Sequence, residues 1–430
     1  MTEVESVSRL VPLIALLAAV LIPAYAGIVR GRTFAIFSGV ILLFSVSGIV
    51  ISHERLGDWL ASTAPALRPV LDFTFAYLML AAALQLSSLV KARLHGIPFR
   101  LMVTWPGQAF LAAGLLAAAW LLLLLPVRGI LWAFGMERAL GMLQPLDLVP
   151  YVLMVASLIT TLKNRTEFVR FRLGATGPET RTRVAFERVR RDAPPAAERA
   201  LRIVQISDPH LGPWQSVQRL QQRIETLLGQ DPDLVLLTGD YLTMEGQGSP
   251  GALAQAFAPL RGAEGRCFAI FGNHDHEAPE EVRAALSGNN VPLLVDEEAV
   301  TETPFGPVQI LGADYARENR AQKLENLLSR HPRREDHLRL LLLHDPQCFA
   351  YVPPGDADLT LSGHTHGGQV GLVSLGLDWT VLSATRWPDH GLFARGPNRL
   401  YVHRGTGFYG FPLRIGVPGE ASLLEVLPVA

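Results

Sequence analysis

Five short clusters of metal-competent side chains punctuate residues 201–430, and each follows an apolar run. They are Asp208-Pro209-His210, Gly239-Asp240, Gly272-Asn273-His274-Asp275, His344-Asp345 and Gly363-His364-Thr365-His366. The donors are carboxylates, imidazoles and one carboxamide, with no thiolate. That set suits Mn, Fe or Zn, and not a purely structural zinc, which usually takes cysteine. There are enough donors for two divalent ions, and a carboxylate can bridge them. A pair of ions ~3.5–4 Å apart is the usual arrangement for hydrolysing phosphate esters, because it binds the phosphoryl oxygens and acidifies a bridging water. Taken singly, each cluster has a bland reading: a turn, an αL asparagine or a core histidine. The ordered conjunction is what points to chemistry.

The elements around the clusters read as alternating strands and helices. Leu201–Ile206, Leu234–Leu237, Cys267–Phe271, Val308–Leu311, Leu338–Leu343 and Asp358–Leu361 are short apolar runs of strand type. Val217–Leu228 has helical spacing, and Ala252–Leu260, Pro279–Leu286 and Glu318–Ser329 also read as helices. Further short strands, Arg399–His403 and Ser422–Leu427, add a second sheet. Ligands of open α/β sheets bind where strands end, so the five clusters can converge on one crevice. Cys267 and Cys348 lie in or beside apolar runs and read as core thiols.

The first third of the chain is different. Of 430 residues, 49% are hydrophobic and 18% charged, and the net charge is -1. This excludes a disordered chain and gives no global basic field for nucleic acid. Five apolar runs, Val11–Val29, Phe34–Ile51, Val70–Val90, Ala109–Val127 and Leu146–Leu162, each approach the ~20 residues that cross a hydrocarbon core. Ser45, Ser47, Asp72 and Gln85 within them are expected to face other helices, and Pro12 and Pro23 to kink the first helix or mark its ends. The first run, with Ala24-Tyr25-Ala26, resembles a signal peptide, but Glu3 and Glu5 offset Arg9, so a retained span is expected.

Loop charges orient the spans. Arg30, Arg32, Lys91, Arg93, Arg100, Lys163, Arg165, Arg170 and Arg172 fall on one face, against Arg9, Arg55, Arg68, Arg128 and Arg138 on the other. The positive-inside rule then puts the C-terminal domain in the cytoplasm, in a bacterial inner or plasma membrane. The expected organisation is a multi-pass region at 1–165, a basic juxtamembrane linker at 166–200 and the α/β domain at 201–430. The linker's arginines, among them Arg181, Arg183, Arg188, Arg190 and Arg191 before Pro194-Pro195, read as a solvated connection with one short strand, or as a surface resting on anionic headgroups.

The ordered set of motifs resembles the calcineurin-like metallophosphoesterases over about residues 201–430. Gln205–Gly212 and Leu361–Gln369 resemble the membrane-associated subgroup, which includes transmembrane proteins with a metallophosphoesterase domain and the bacterial YkuE and YaeI types. The resemblance implies two mixed sheets packed as a sandwich and flanked by helices, after a transmembrane bundle of about five helices. It implies that Asp208, His210 and His366 hold one metal, that Asn273, His344 and His364 hold a second, and that Asp240 bridges them. His274 would contact the scissile phosphate and aid the leaving group, with Asp275 orienting its ring. Thr243 stands where many members have a second aspartate, and Pro209 replaces a more usual aliphatic residue or Thr.

The expected function is a membrane-bound phosphodiesterase or pyrophosphatase, with a metal-bridging hydroxide as nucleophile. The substrate is expected to be lipid-linked, because five spans exceed what an anchor needs. The alternatives are a soluble nucleotide or other small phosphoester, and a catalytically silent membrane sensor. A transporter is disfavoured by the lack of charged residues central to the runs. The loops Pro213–Ser216 and Gly376–Gly391, with Trp214, Trp379, Trp387 and His390, read either as a substrate entrance or as packed surface. Arg404 and Arg414 read as a phosphate clamp or as paired structural residues.

Overall fold

The computed structural model describes residues 8–163, 165–174, 176–190 and 199–429. The chain divides into a helical unit, residues 1–159 with 410–413, and an α/β unit formed by 160–409 and 414–430.

In the helical unit, five segments are long and apolar enough to cross a membrane: Leu10–Val29, Arg32–Thr63, Pro65–Lys91, Ile97–Ala133 and Glu137–Leu162. Pro23 lies inside the first helix and does not end it. The second runs to Thr63, twelve residues past the end of its apolar run. It continues because its polar end is partnered: His53 bonds Asp72 at 2.8 Å, and Arg55 bonds Asp147 at 2.7 Å. Arg68 also holds Asp72, and Arg128 also holds Asp147. Three of the five basic residues assigned to the second face are therefore spent on two buried carboxylates. Ser45, Asp72 and Gln85 are buried among the helices, whereas Ser47 is exposed and donates to Phe44 O at 3.0 Å. Gly48 and Gly114 pack backbone to backbone, leaving no room for a Cβ, the small-residue contact that lets apolar helices approach closely.

The α/β unit is a sandwich. Its strands are β1 (Arg165–Arg172), β2 (Thr182–Arg183), β3 (Glu187–Val189), β4 (Leu201–Ile206), β5 (Leu234–Leu237), β6 (Cys267–Ala269), β7 (Glu297–Thr303), β8 (Gly306–Gly312), β9 (Leu338–Leu342), β10 (Leu359–Ser362), β11 (Gly391–Arg395), β12 (Asn398–Val402) and β13 (Glu420–Leu427). One sheet has the order β3-β1-β13-β4-β5-β6 and the other β2-β11-β12-β10-β9-β8-β7. Their inner faces share one core, where Ile203, Leu236 and Leu424 meet Ile310, Leu342 and Leu361. Helices Val217–Leu228 and Pro279–Ser287 cover the outer face of the first sheet through Leu220, Ile224, Val282 and Leu286. Helix Arg320–Arg330 covers the second through Leu324 and Leu327.

The segment 166–200 is not a linker. β1 lies between β13 and β3, burying Val169 and Phe171, and β2 extends the other sheet from β11. Three of its described arginines are spent inside the domain. Arg170 pairs with Glu425 at 2.7 Å, Arg183 pairs with Asp389, and Arg188 reaches Asp378 at 3.4 Å. A headgroup-binding role for them is therefore not supported; Arg191, Pro194 and Pro195 lie outside the described residues.

Candidate functional site

β4, β5, β9 and β10 run parallel within their sheets and all end on the same chemistry. The loop after β4 carries Asp208 and His210, and the loop after β5 carries Asp240. The loop after β6 carries Asn273 and His274. His344 follows β9, and His364 and His366 follow β10. Such tight turns need the left-handed backbone region. Asp208 (φ 49°), His210 (φ 44°), Asp240 (φ 59°), His364 (φ 69°) and His366 (φ 51°) all occupy it. Strain of this kind costs about 1–3 kcal/mol per residue and persists where function requires it. Gly272 and Gly363 place bare Cα atoms against the Asp240 and Asp208 carboxylates, where a Cβ would overlap them.

Two ligand groups result. Asp208, His210 and His366 form one, and Asp240, His344 and His364 form the other, each with its donor atoms within 4.8 Å of one another. Asp240 lies between them, with Oδ2 3.2 Å from His344 Nε2 and 4.0 Å from His210 Nε2. His210 Nε2 and His366 Nε2 are 3.2 Å apart. His344 donates Nδ1–H to Thr238 O at 2.6 Å, so its Nε2 lone pair faces the site. Neither that Nε2 nor Asn273 Oδ1 has a hydrogen-bond partner, and both are buried. Leaving such atoms unpaired costs about 1–3 kcal/mol each, unless a ligand satisfies them. The donor set therefore fits two divalent cations.

The electrostatics agree. Burial pushes the Asp208 carboxyl up, but the surrounding His366, His344 and His210 outweigh it and hold it well below the usual range. Burial, with His366 beside it, lowers His210 to about 3, and burial with His344 lowers His364 to about 4. Burial acts against the charge on His344, yet Asp240 and Asp208 raise it to about 10. Burial thus keeps His210 and His364 as neutral donors, and a cation at the second group would take the place of the proton that Asp240 and Asp208 draw onto His344.

His274 caps this floor. Its backbone N–H donates to Asp240 Oδ1 at 2.8 Å, and its ring Nδ1 donates to Glu277 Oε1 at 2.8 Å. The expectation that Asp275 orients the ring is corrected. Asp275 is fully buried, and its carboxylate accepts from the backbone N–H groups of Asp240, Gly272 and Tyr241 at 2.7, 2.7 and 2.8 Å. It fastens the β5 and β6 loops together, and the His274 ring Nδ1 is held by Glu277 instead. Glu277 was missed, although its i+3 spacing from His274 within one helical turn is a sequence-visible signal.

The remaining candidates separate. Arg404 is buried among Glu420, Glu167 and Pro418 O. Arg414 donates to His366 O and Gly407 O, at 3.2 and 2.6 Å, so both arginines brace the site and do not clamp a phosphate. Thr243 caps a short helix by accepting from Gly246 N, and is no ligand. Trp387 stacks on His364, Trp214 lies beside Phe408, and Trp379 is half exposed. His390 is buried next to Asp389. Cys267 and Cys348 are buried free thiols.

Clusters of candidate metal ligands at the strand ends of a two-sheet sandwich suit metal-dependent chemistry. Residues 201–368 match the family described as calcineurin-like phosphoesterase. The metallophosphoesterase YkoQ of Bacillus subtilis is 29% identical over 243 residues, which is 54% of this chain and 85% of that protein. Phosphodiesterase YaeI of Escherichia coli is 28% identical over 232 residues, 53% of this chain and 82% of its own. The transmembrane protein with metallophosphoesterase domain of Bos taurus is 28% identical over 249 residues, 54% of each chain. The α/β domain of this chain is thus similar to the calcineurin-like metallophosphoesterases, and the matched family and these relatives support a hydrolase of phosphoester bonds.

Proposed function

We propose that this chain is a membrane-bound phosphohydrolase of the phosphodiesterase or pyrophosphatase type, working with two divalent ions. The observation that carries the reading is the placement of Asp240 between two ligand groups, beside the buried, unpartnered Asn273 Oδ1 and His344 Nε2. Asp208, His210 and His366 would hold one ion, Asn273, His344 and His364 the other, and Asp240 would serve both. When bound, such ions offset the phosphoryl charge and acidify the attacking water. The chain's own residues do the rest. His274, its Nδ1 held by Glu277, presents Nε2 to the leaving oxygen and gives it a proton. Asp275 keeps the β5 and β6 loops in register, so that His274 stays over Asp240. The test is hydrolysis of bis(4-nitrophenyl) phosphate by chelator-stripped and manganese-reconstituted protein. Turnover should appear only after reconstitution, and undiminished turnover by stripped protein overturns the reading.

The reading extends to location and substrate. Five candidate spans put an odd number of crossings before the catalytic domain, and the loop charges favour a cytoplasmic domain. A C-terminal reporter active only after export would reverse it. The same five spans support a lipid-linked phosphoester, such as a lipid or nucleotide-linked lipid intermediate, as substrate. Full-length protein in detergent should show a higher kcat/KM on the lipid-linked form of a phosphoester than on its short-chain analogue. Equal values refute the lipid assignment and leave the hydrolase standing.

A further inference from the structure

Three aromatic rings stand around the ligand groups, and none is fully buried. Tyr409 stacks on His274, with centroids 3.9 Å apart and planes 19° apart. Trp387 stacks on His364 at 5.6 Å and 15°. Tyr315 lies 6.2 Å from His364 and 6.3 Å from His344. Tyr409 therefore sits at the His274 end, and the other two sit at the His344 and His364 end.

Trp387 is fixed in place. Its backbone N–H donates to Thr385 Oγ1 at 3.1 Å. Two residues on, Asp389 pairs with Arg183 and accepts from Thr380 Oγ1 at 2.7 Å and Ser383 Oγ at 3.2 Å. Thr365, between the two histidines of the β10 loop, donates its hydroxyl to Asp389 O at 2.6 Å. The loop that carries the indole is thus tied directly to the loop that carries the metal ligands. A part-exposed ring on a backbone held this firmly, and stacked on His364, offers stacking area at little entropic cost.

The ester oxygens of a bound phosphate point to different ends of such a site. With His274 serving the leaving oxygen, the far end receives the substituent on the non-leaving oxygen. A monoester has nothing to place there; a diester or pyrophosphate does. We propose that Trp387, with Tyr315, forms a stacking subsite for a planar group, an aryl ring or a nucleobase, carried on the non-leaving oxygen of a phosphodiester or pyrophosphate. The proposal rests on the assignment of His274 to the leaving group.

The test uses full-length, manganese-reconstituted protein in detergent. Its substrates are bis(4-nitrophenyl) phosphate and methyl 4-nitrophenyl phosphate, which share a leaving group and differ only in the second substituent. The readout is the ratio of their kcat/KM values. Trp387→Leu should lower the ratio about tenfold, the scale of one lost stacking contact, and Trp387→Phe should keep most of it. Tyr315→Ala should lower it in the same direction. Tyr409→Ala, at the other end, should move both substrates together. Metal content and Tm establish that each variant is folded. If wild-type protein hydrolyses neither diester, the hydrolase reading itself fails. If it hydrolyses both, and the ratio is the same in Trp387→Leu, Trp387→Phe and wild type, the subsite is refuted and the hydrolase stands.

Discussion

Replacing Glu277 by glutamine isolates what this carboxylate does for His274. The substitution keeps an oxygen that can accept from Nδ1, now 2.8 Å away, and removes only the charge. Burial acts against the imidazolium of His274, but the Glu277 hydrogen bond and the Asp240 charge outweigh it and raise its pKa above the ordinary value. The same bond lowers Glu277. The sign follows: a raised His274 pKa keeps the ring protonated to higher pH, and the acid is lost as pH climbs through that raised value. Without the Glu277 charge, burial dominates and the loss begins at lower pH. The Glu277 side chain is 42% exposed, so the pair is screened by solvent and worth about 1 kcal/mol. That corresponds to about fivefold in kcat near neutrality. The assay is kcat against pH for metal-loaded wild type and Glu277→Gln on a phosphodiester with an alkyl leaving group. The basic limb should move to lower pH, with metal content unchanged. A limb that stays in place or moves upward refutes the role given to Glu277.

Other outcomes follow from the same geometry. His274→Ala should keep its metal and lose about a hundredfold in kcat on an alkyl diester, the lower range for a removed general acid. The loss should be smaller on a 4-nitrophenyl ester, whose leaving group needs no proton; a His274→Ala protein stripped of metal contradicts the assignment. Gly363→Ala should displace Asp208, since the added Cβ would overlap its Oδ2 and Ser207 Oγ. It should cost about 1–3 kcal/mol, read as a lower Tm, together with weaker metal uptake. A fragment beginning at residue 196 should fail to fold, because it lacks β1, β2 and β3; a soluble, cooperative melt from that fragment would show those strands to be dispensable.

Much of the α/β domain was readable because its signals are local. Helix Val217–Leu228 and strands Leu201–Ile206 and Leu234–Leu237 have the limits that their apolar periodicity predicts. Strands whose reason for existing is non-local were not readable. β1 reads Arg-Thr-Glu-Phe-Val-Arg-Phe-Arg, and becomes a strand because β13, more than two hundred residues away, supplies Glu425 to Arg170. β7 carries three glutamates and lies at a sheet edge, where pairing with β8 and not burial defines it. The residues that the structure gathers into the two groups could be named from their types and order. The left-handed backbone at Asp208, His210, Asp240, His364 and His366, which aims them, is only weakly signalled: Asp and His enter that region more often than most residues, yet adopt ordinary backbone at most positions. Asp275 was assigned to the wrong partner because the motif records adjacency to His274, whereas the carboxylate turns to three backbone N–H groups.

The central claim is that one carboxylate serves two metal ions, and Asp240→Asn tests it most directly. Asp240 Oδ1 accepts from His274 N, so an asparagine keeping that bond turns its NH₂ toward His344 and His210, where an acceptor is needed. The measurement is metal content per chain by elemental analysis, taken with kcat on bis(4-nitrophenyl) phosphate for the same preparations. The account predicts two ions per wild-type chain. It predicts that Asp240→Asn loses both, or loses about 10²–10³-fold in kcat, the scale for removal of one electrostatic stabiliser. An Asp240→Asn protein that holds two ions and turns over within tenfold of wild type contradicts it.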